Sequence, residues 1–438
     1  MNNNEVWELF NRYRGFVDAN TFSDMMAYSL LLKYAELTEQ DYYQNNFSVK
    51  YLSRLYGDII SEEELAEYIE QIERYYKVPA GLIAGSFRNT IRKFGSEREK
   101  QFLLNIFRHL SEIEFGSGEE IANSYDYFME KSVSQRGRFS VECSTNSSLA
   151  QIETGLLDIK EGLSIYDPFC GSGKTLVVAG KNNNPLFARD LNSDTLAIAV
   201  INMILHGCNI KAVTCGDSLF ADDTRYDRIV SEPPLNAKYF NDVYDRFKKI
   251  KDKDYLSKDA LEIDKIIDSL VNDGKAVILV PAGFLFRGGK TQDYRKHLLD
   301  ENLIDSIMNI PAGVISGIMI NTSLLVINKK KDNESIVMFD SSALWEKENI
   351  RDLYMTNSNI EKIINIISKR EEVVGLSKII NSDEAEKNNY NLSSSIYVTP
   401  YSTDEIEVKD INELINRQKE LEKELAVVSE DLYKLRNK

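Results

Sequence analysis

The sequence predicts an α/β fold: a parallel, doubly wound sheet, preceded by an all-helical segment and followed by a long terminal helix. Three observations carry this. Up to about residue 130, apolar residues recur at three- and four-residue spacing and only Pro79 interrupts. From about residue 137, short apolar runs alternate with helical stretches, the texture of strands joined by crossover helices. Residues 405–438 repeat apolar positions with a heptad-like period.

The helical segment comes first. "ANTFSDMMAYSLLLKYAEL" has the period of a helix with a buried face, and "SEEELAEYIEQIERYY" opens with Ser61 and a run of acids, a helix start. Strands are then expected in "LSIYDPFCGSG", "NPLFARDLN", "IKAVTCGDSL", "YDRIVSEPP", "DGKAVILVPAGFL" and "TSLLVINKKK". Helices are expected in "AIAVINMILHGC", "IDKIIDSLV" and "QDYRKHLLDEN". On this reading the sheet ends near Lys331. The division is 1–135 helical, 136–332 the α/β domain, 333–404 a mixed α/β extension, and 405–438 a terminal helix. In that helix Ile411, Leu414, Leu421, Leu425, Val428, Leu432 and Leu435 form the seam, with Gln418 in its polar slot. Such a seam must bury itself against this chain or a partner, and its terminal place and charged flanks favour a partner.

Composition narrows the function. The 438 residues are 43% hydrophobic, enough for a sizeable core, and no apolar run has the length of a membrane span. "MNNNEVWELFNRYRG" lacks the basic-then-apolar layout of a signal peptide, so a cytoplasmic protein is expected. Cys143, Cys170, Cys208 and Cys215 show no CxxC pairing and there are 3 histidines, so inert thiols are expected and no metal site. The net charge of −16 would repel a DNA duplex taken alone. If the chain works on DNA, a partner or a local patch supplies the grip. The candidate patches are Arg246–Lys253 and Lys329–Lys331, and solvated loop charges are the plainer reading of both.

"DPFCGSGKTL", residues 167–176, invites a phosphate-loop reading, but that loop needs a Gly where Pro168 stands. A strand ending in Asp167 and a turn carrying Gly171 and Gly173 fit better as a nucleoside-binding turn, where the backbone approaches a ligand. The next strand ends in Asp190, placed for ribose hydroxyls. The third ends near Asp217, placed for an adenine amino group. The fourth runs into Glu232-Pro233-Pro234-Leu235. Any one acid is more often a helix cap than a ligand. Four such features in register are the layout of a Rossmann-like class I S-adenosylmethionine methyltransferase, with a base pocket beside the cofactor.

The sequence resembles the modification (M) subunit of type I restriction-modification systems, the adenine-N6 DNA methylases. "DPFCGSGKTL", "DGKAVILVPAGFLFRGGKTQDYRKHLLDENLIDSIMNIPAGV" (273–314) and "NNYNLSSSIYV" (388–398) carry the resemblance, which covers nearly the whole chain. It implies S-adenosylmethionine as cofactor, contacted by Asp167, Pro168, Gly171, Gly173, Asp190 and Asp217. It implies DNA and a specificity (S) subunit as partners, the latter met by the terminal helix. A second M-type subunit and a restriction (R) subunit are further partners it suggests.

Two places depart from the family pattern. The family has an Asn-Pro-Pro-Phe or similar turn, where this chain has Glu232 and Leu235. A Phe-x-Thr-Pro stretch before the first strand is replaced by "GRFSVECSTNSS". In the family the Asn or Asp oxygen and the first proline's carbonyl accept hydrogen bonds from the amino group of an extruded adenine, and the aromatic stacks on it. Glu232 is one methylene longer and Leu235 has no ring face. The same tetrapeptide occurs in the non-catalytic partner of the eukaryotic messenger-RNA adenine methyltransferase heterodimer. The favoured expectation is therefore a degenerate M-type subunit beside an active M subunit. The alternative is an active M subunit that tolerates the change.

Overall fold

The computed structural model describes residues 2–13, 19–38, 62–94, 112–135, 145–235, 257–315, 318–347 and 353–399, with a few positions and runs of two or three residues besides. The terminal seam at 405–438, most of "GRFSVECSTNSS" and the basic run Arg246–Lys253 lie outside the described residues.

The chain begins with α1 (Asn2–Tyr13), α2 (Ala19–Thr38), α3 (Glu62–Tyr76), α4 (Leu82–Arg92) and α5 (Gly118–Gln135). α2 is buried nearly all round, Thr21, Ser23 and Ser29 included, so the one-faced helix expected from its spacing is in fact a central one. α4 starts from Gly81, at φ 76°, which has no side chain to cap it. Glu73 of α3 does this instead. Its carboxylate, 1% exposed, accepts the N–H groups of Gly81 at 2.6 Å, Ile83 at 2.5 Å and Ala84 at 2.9 Å. A negative charge there also meets the positive end of the helix dipole.

α6 (Ser147–Leu156), N-capped by Asn146, leads into the sheet. There follow β1 (Ile165–Asp167), α7 (Lys174–Ala179), β2 (Leu186–Asp190), α8 (Ser193–Leu205), β3 (Ile210–Cys215) and β4 (Tyr226–Ser231). Next come α9 (Lys258–Asp268), β5 (Leu270–Pro281), α10 (Lys290–Asp300), β6 (Ile304–Ile310), β7 (Thr322–Asn328) and β8 (Ile336–Asp340). α11 (Asn357–Lys369) and β9 (Ser377–Ile380) complete the main elements. The sheet order is β9-β8-β6-β7-β5-β4-β1-β2-β3. Central strands covered on both faces read as continuous apolar runs, as β7 does with Thr322 through Ile327 all buried.

The half β5-β4-β1-β2-β3 is parallel, as expected. The other half differs. β7 runs antiparallel between β5 and β6, pairing Val277 with Val326 and Ile307 with Leu325. The reason is the connection from Ile310 to Thr322: its described residues hold no crossover helix, so the chain returns alongside itself. Nor does the sheet stop near Lys331. β8 adds parallel to β6, and β9 antiparallel to β8. Lys329 and Lys331 form no basic patch. Lys329 Nζ donates to the carbonyls of Ile267 and Leu270, Lys331 Nζ to that of Ile304, and burial pushes the Lys331 amine down to about 8.

Helices and sheet share one core, with α8 packed against α2 and α4. Asp126 of α5 accepts from Lys174 Nζ at 3.0 Å and lies 3.2 Å from His206 Nε2, fastening the helical segment beside the residues that follow the glycine turn. Burial pushes the Asp126 carboxyl up, but His206 and Lys174 outweigh it and hold it below its ordinary value. The 388–398 segment is tied down by the Leu392 N–H to the Leu285 carbonyl at 2.9 Å. Arg295, 1% exposed, donates to the carbonyls of Tyr390 and Phe284 at 2.7 and 2.6 Å. No helix among the described residues is long and apolar enough to cross a membrane.

Candidate functional site

The strand order reverses between β1 and β4: β2 and β3 lie on one side, β5 on the other. In open α/β sheets this switch point, at the carboxyl ends of the strands, is where ligands bind. Asp167 ends β1 there, and Glu232 follows β4, which pairs with β1 through Ile165–Arg228 and Tyr166–Ile229.

The glycine turn is held from three sides. The Cys170 N–H reaches the Arg189 carbonyl at 3.0 Å, Asn202 Nδ2 reaches the Ser172 carbonyl at 3.0 Å, and the Ser218 hydroxyl donates to the Pro168 carbonyl. Gly173, at φ 74°, caps the start of α7. A Cβ there would stand 3.1 Å from Ala199 Cα, Cβ and O on α8. Gly171, at φ 50°, has open space where its Cβ would be. One glycine thus lets the turn press on a helix, and the other leaves a face that a ligand can approach. Gly173→Ala is expected to lower stability by about 2–4 kcal/mol, from left-handed backbone strain and overpacking together. Urea unfolding measures it.

The three aspartates all cap backbone. Asp167, 4% exposed, accepts from the Phe169 N–H at 3.0 Å, and burial pushes its carboxyl well up. Asp190 accepts from the N–H groups of Gly171 at 3.1 Å and Asn192 at 2.9 Å, and burial raises it too. Asp217 accepts from the Leu219 N–H at 3.0 Å. A carboxylate has roughly four lone-pair sites, so these bonds leave capacity for ligand hydroxyl or amino groups.

At the Pro-Pro turn, Pro233 is buried, Pro234 is exposed, and Leu235 is half-buried against the core under β4 and β5. Pro233 and Leu235 wall a small recess with Lys258, Glu262 and Pro281. The Glu232 carboxyl points inward. Its Oε1 accepts from the Thr145 hydroxyl at 2.5 Å and lies 3.4 Å from the Thr175 hydroxyl. Glu153 of α6, 0% exposed, lies 3.5 Å from the same Thr175 hydroxyl. Burial and the charges of Glu232 and Asp167 push the Glu153 carboxyl well above its ordinary value.

Thr145, Glu153 and Thr175 were not among the residues the sequence singled out. One signal was readable: Glu153 is the lone charge in "SSLAQIETGL". Thr145 belongs to the replaced stretch before β1, and Asn146 after it caps α6. The sequence-chosen residues do come together: Thr175, in contact with Glu232, lies two positions beyond Gly173.

A glycine turn at the switch point of a parallel half-sheet, acids closing β1 and β2, and a Pro-Pro turn after β4 define a Rossmann-like class I methyltransferase fold. Within that class the chain belongs to the N-6 DNA Methylase family, whose profile matches residues 117–406. It is 25% identical over 421 residues to the type I restriction enzyme MpnII methylase subunit of Mycoplasma pneumoniae, covering 84% of this chain and 77% of that one. It is 28% identical over 348 residues to the MjaVIII methylase subunit of Methanocaldococcus jannaschii, covering 72% of this chain and 60% of that protein. Among solved structures, the type I restriction-modification methyltransferase subunit from Streptococcus thermophilus superposes with a TM-score of 0.68 at 21% identity, covering 90% of this chain and 98% of that one. The resemblance to type I M subunits read from the sequence is borne out.

Proposed function

We propose that this chain is an M-type subunit of a type I-like DNA adenine-N6 methyltransferase complex, one whose own Pro-Pro turn is degenerate and non-catalytic. It supports DNA and partner binding beside an active M subunit and an S subunit, with an R subunit as a further partner, in the cytoplasm. The observation that carries this reading is the inward Glu232: the group that should accept from a base amine is bonded to Thr145 and faces Thr175. Leu235, packed on the core, offers no ring to the base.

The turn and its acids fit S-adenosylmethionine. Gly171 leaves the backbone open to it, Asp190 would take its ribose hydroxyls and Asp217 its adenine amino group. When bound, it supplies an electrophilic methyl group on a sulfonium. The terminal seam at 405–438 is assigned to the S subunit on its sequence alone.

The test is transfer of labelled methyl groups to duplex DNA by the chain with its S partner and no second M-type chain. No incorporation into adenine is expected. Robust incorporation would overturn the reading in favour of an active M subunit. Calorimetric titration with S-adenosylmethionine separates loss of transfer from loss of binding.

A further inference from the structure

Thr175 stands between two acids, its Oγ 3.5 Å from Glu153 Oε2 and 3.4 Å from Glu232 Oε1. A hydroxyl has one proton to donate. With both glutamates ionised, it satisfies one and turns a lone pair to the other. The second oxygen of Glu153, Oε1, is buried and has no hydrogen-bond partner among the described residues. An ionised carboxylate with an orphaned oxygen is costly in a fully buried place.

Among the described residues the surroundings supply no relief. Asp167 on β1 adds a third like charge. Lys174 of α7 turns to Asp126. α11, packed on α6, brings Ile364 against Gly155. β5 also touches α6, and its Lys275 pairs with Asp305. Among the described residues neither glutamate has a salt-bridge partner.

We propose that Glu153 and Glu232 share one proton through the Thr175 hydroxyl at neutral pH, and that Glu153 is the positioning residue that keeps Glu232 turned inward. With the proton on Glu153, its O–H donates to Thr175 Oγ, and the Thr175 O–H donates to Glu232 Oε1, which also accepts from Thr145. Glu232 then carries the negative charge on two donated hydroxyls. Passing the proton along reverses both donors and leaves the net charge unchanged.

The inference rests on the reading of the turn above only for its consequence, that the acceptor is withheld from a base. Its test reads the proton directly, whether or not the chain transfers methyl groups. The infrared spectrum of the full chain at neutral pH is expected to show a protonated-carboxyl stretch. That band vanishes in Glu153→Gln, moves in frequency in Glu232→Gln, where Glu153 keeps its proton but loses the acid across Thr175, and stays unshifted in Asp167→Asn. Glu232 is half-buried at a turn, so its variant decides the matter should Glu153→Gln fail to fold. A wild type without the band, a band that survives Glu153→Gln, or a band that Glu232→Gln leaves unshifted, overturns the proposal.

Stability gives a second reading. An acid raised in the folded state binds more protons there than in the unfolded chain, so stability falls as pH rises from about 5 through neutrality. Glu153→Gln makes that fall shallower. An equal slope in variant and wild type counts against the shared proton.

Discussion

A chain carrying Glu232→Asn together with Leu235→Phe is expected to gain methyl transfer to adenine, about 10²-fold or more above the background that the unaltered chain gives, when each is assembled with a specificity subunit and target DNA. The exocyclic amine of adenine is a weak nucleophile because its lone pair is delocalised into the ring. It gains reactivity when both N–H groups are accepted by correctly placed oxygens. The Glu232 oxygen is misplaced twice: the side chain is one methylene too long, and it is drawn inward to Thr145 and Thr175. Asparagine is shorter and carries no charge for those hydroxyls to hold. A misplacement of about 1 Å costs around 10²-fold. Phenylalanine restores a stacking face worth about 1–3 kcal/mol on the same base. Because both act on one extruded base, the double variant is expected to exceed either single change, and the effects need not add. Single-turnover transfer of labelled methyl groups measures the gain. No gain in a double variant that still binds S-adenosylmethionine would place the deficit outside this turn.

The parallel half of the sheet was legible because each strand closes on a chemically marked residue. Asp167, Asp190 and the two prolines sit where apolar runs end, and Gly171 and Gly173 punctuate the first of them. The direction of β7 was not legible: "TSLLVIN" buries the same side chains whichever way it runs. Only the missing crossover helix before it distinguishes the two. "IDKIIDSLV" was read as helix throughout, yet α9 stops at Asp268 and Leu270 begins β5, since apolar residues at a junction fit either period. The candidate site divides in the same way. Residues on strand ends and turns could be placed by order along the sheet. Thr145 and Glu153 lie before β1, and only the fold brings them under Glu232. Glu73 is a further case: its spacing, four residues after Ile69, puts it on the buried face of "EEELAEYIEQIERYY", but only the fold shows which amides it accepts.

Glu73→Ala is expected to lower the stability of the chain by about 3–5 kcal/mol, since three backbone N–H groups lose a charged acceptor worth about 1.5–3 kcal/mol each, and water recovers part of the loss. Two of those bonds, to Ile83 and Ala84, are buried. Glu73→Gln keeps one carbonyl acceptor in nearly the same volume and is expected to lose about half as much. Urea unfolding gives both values, and hydrogen exchange shows where the loss falls, first at the amides of α4. Its reach is longer than one helix. α4 packs on α8, with Asn89 Nδ2 3.3 Å from Asp194 Oδ1 between them. α8 in turn presents Ala199 to the underside of Gly173. A chain whose α4 frays therefore loses the cover of the helix that braces the glycine turn. Its affinity for S-adenosylmethionine is expected to fall in parallel with α4 protection, though Glu73 itself belongs to the helical segment. Full loss of α4 protection with unchanged affinity would show that α8 braces the turn without help from the helices in front of it.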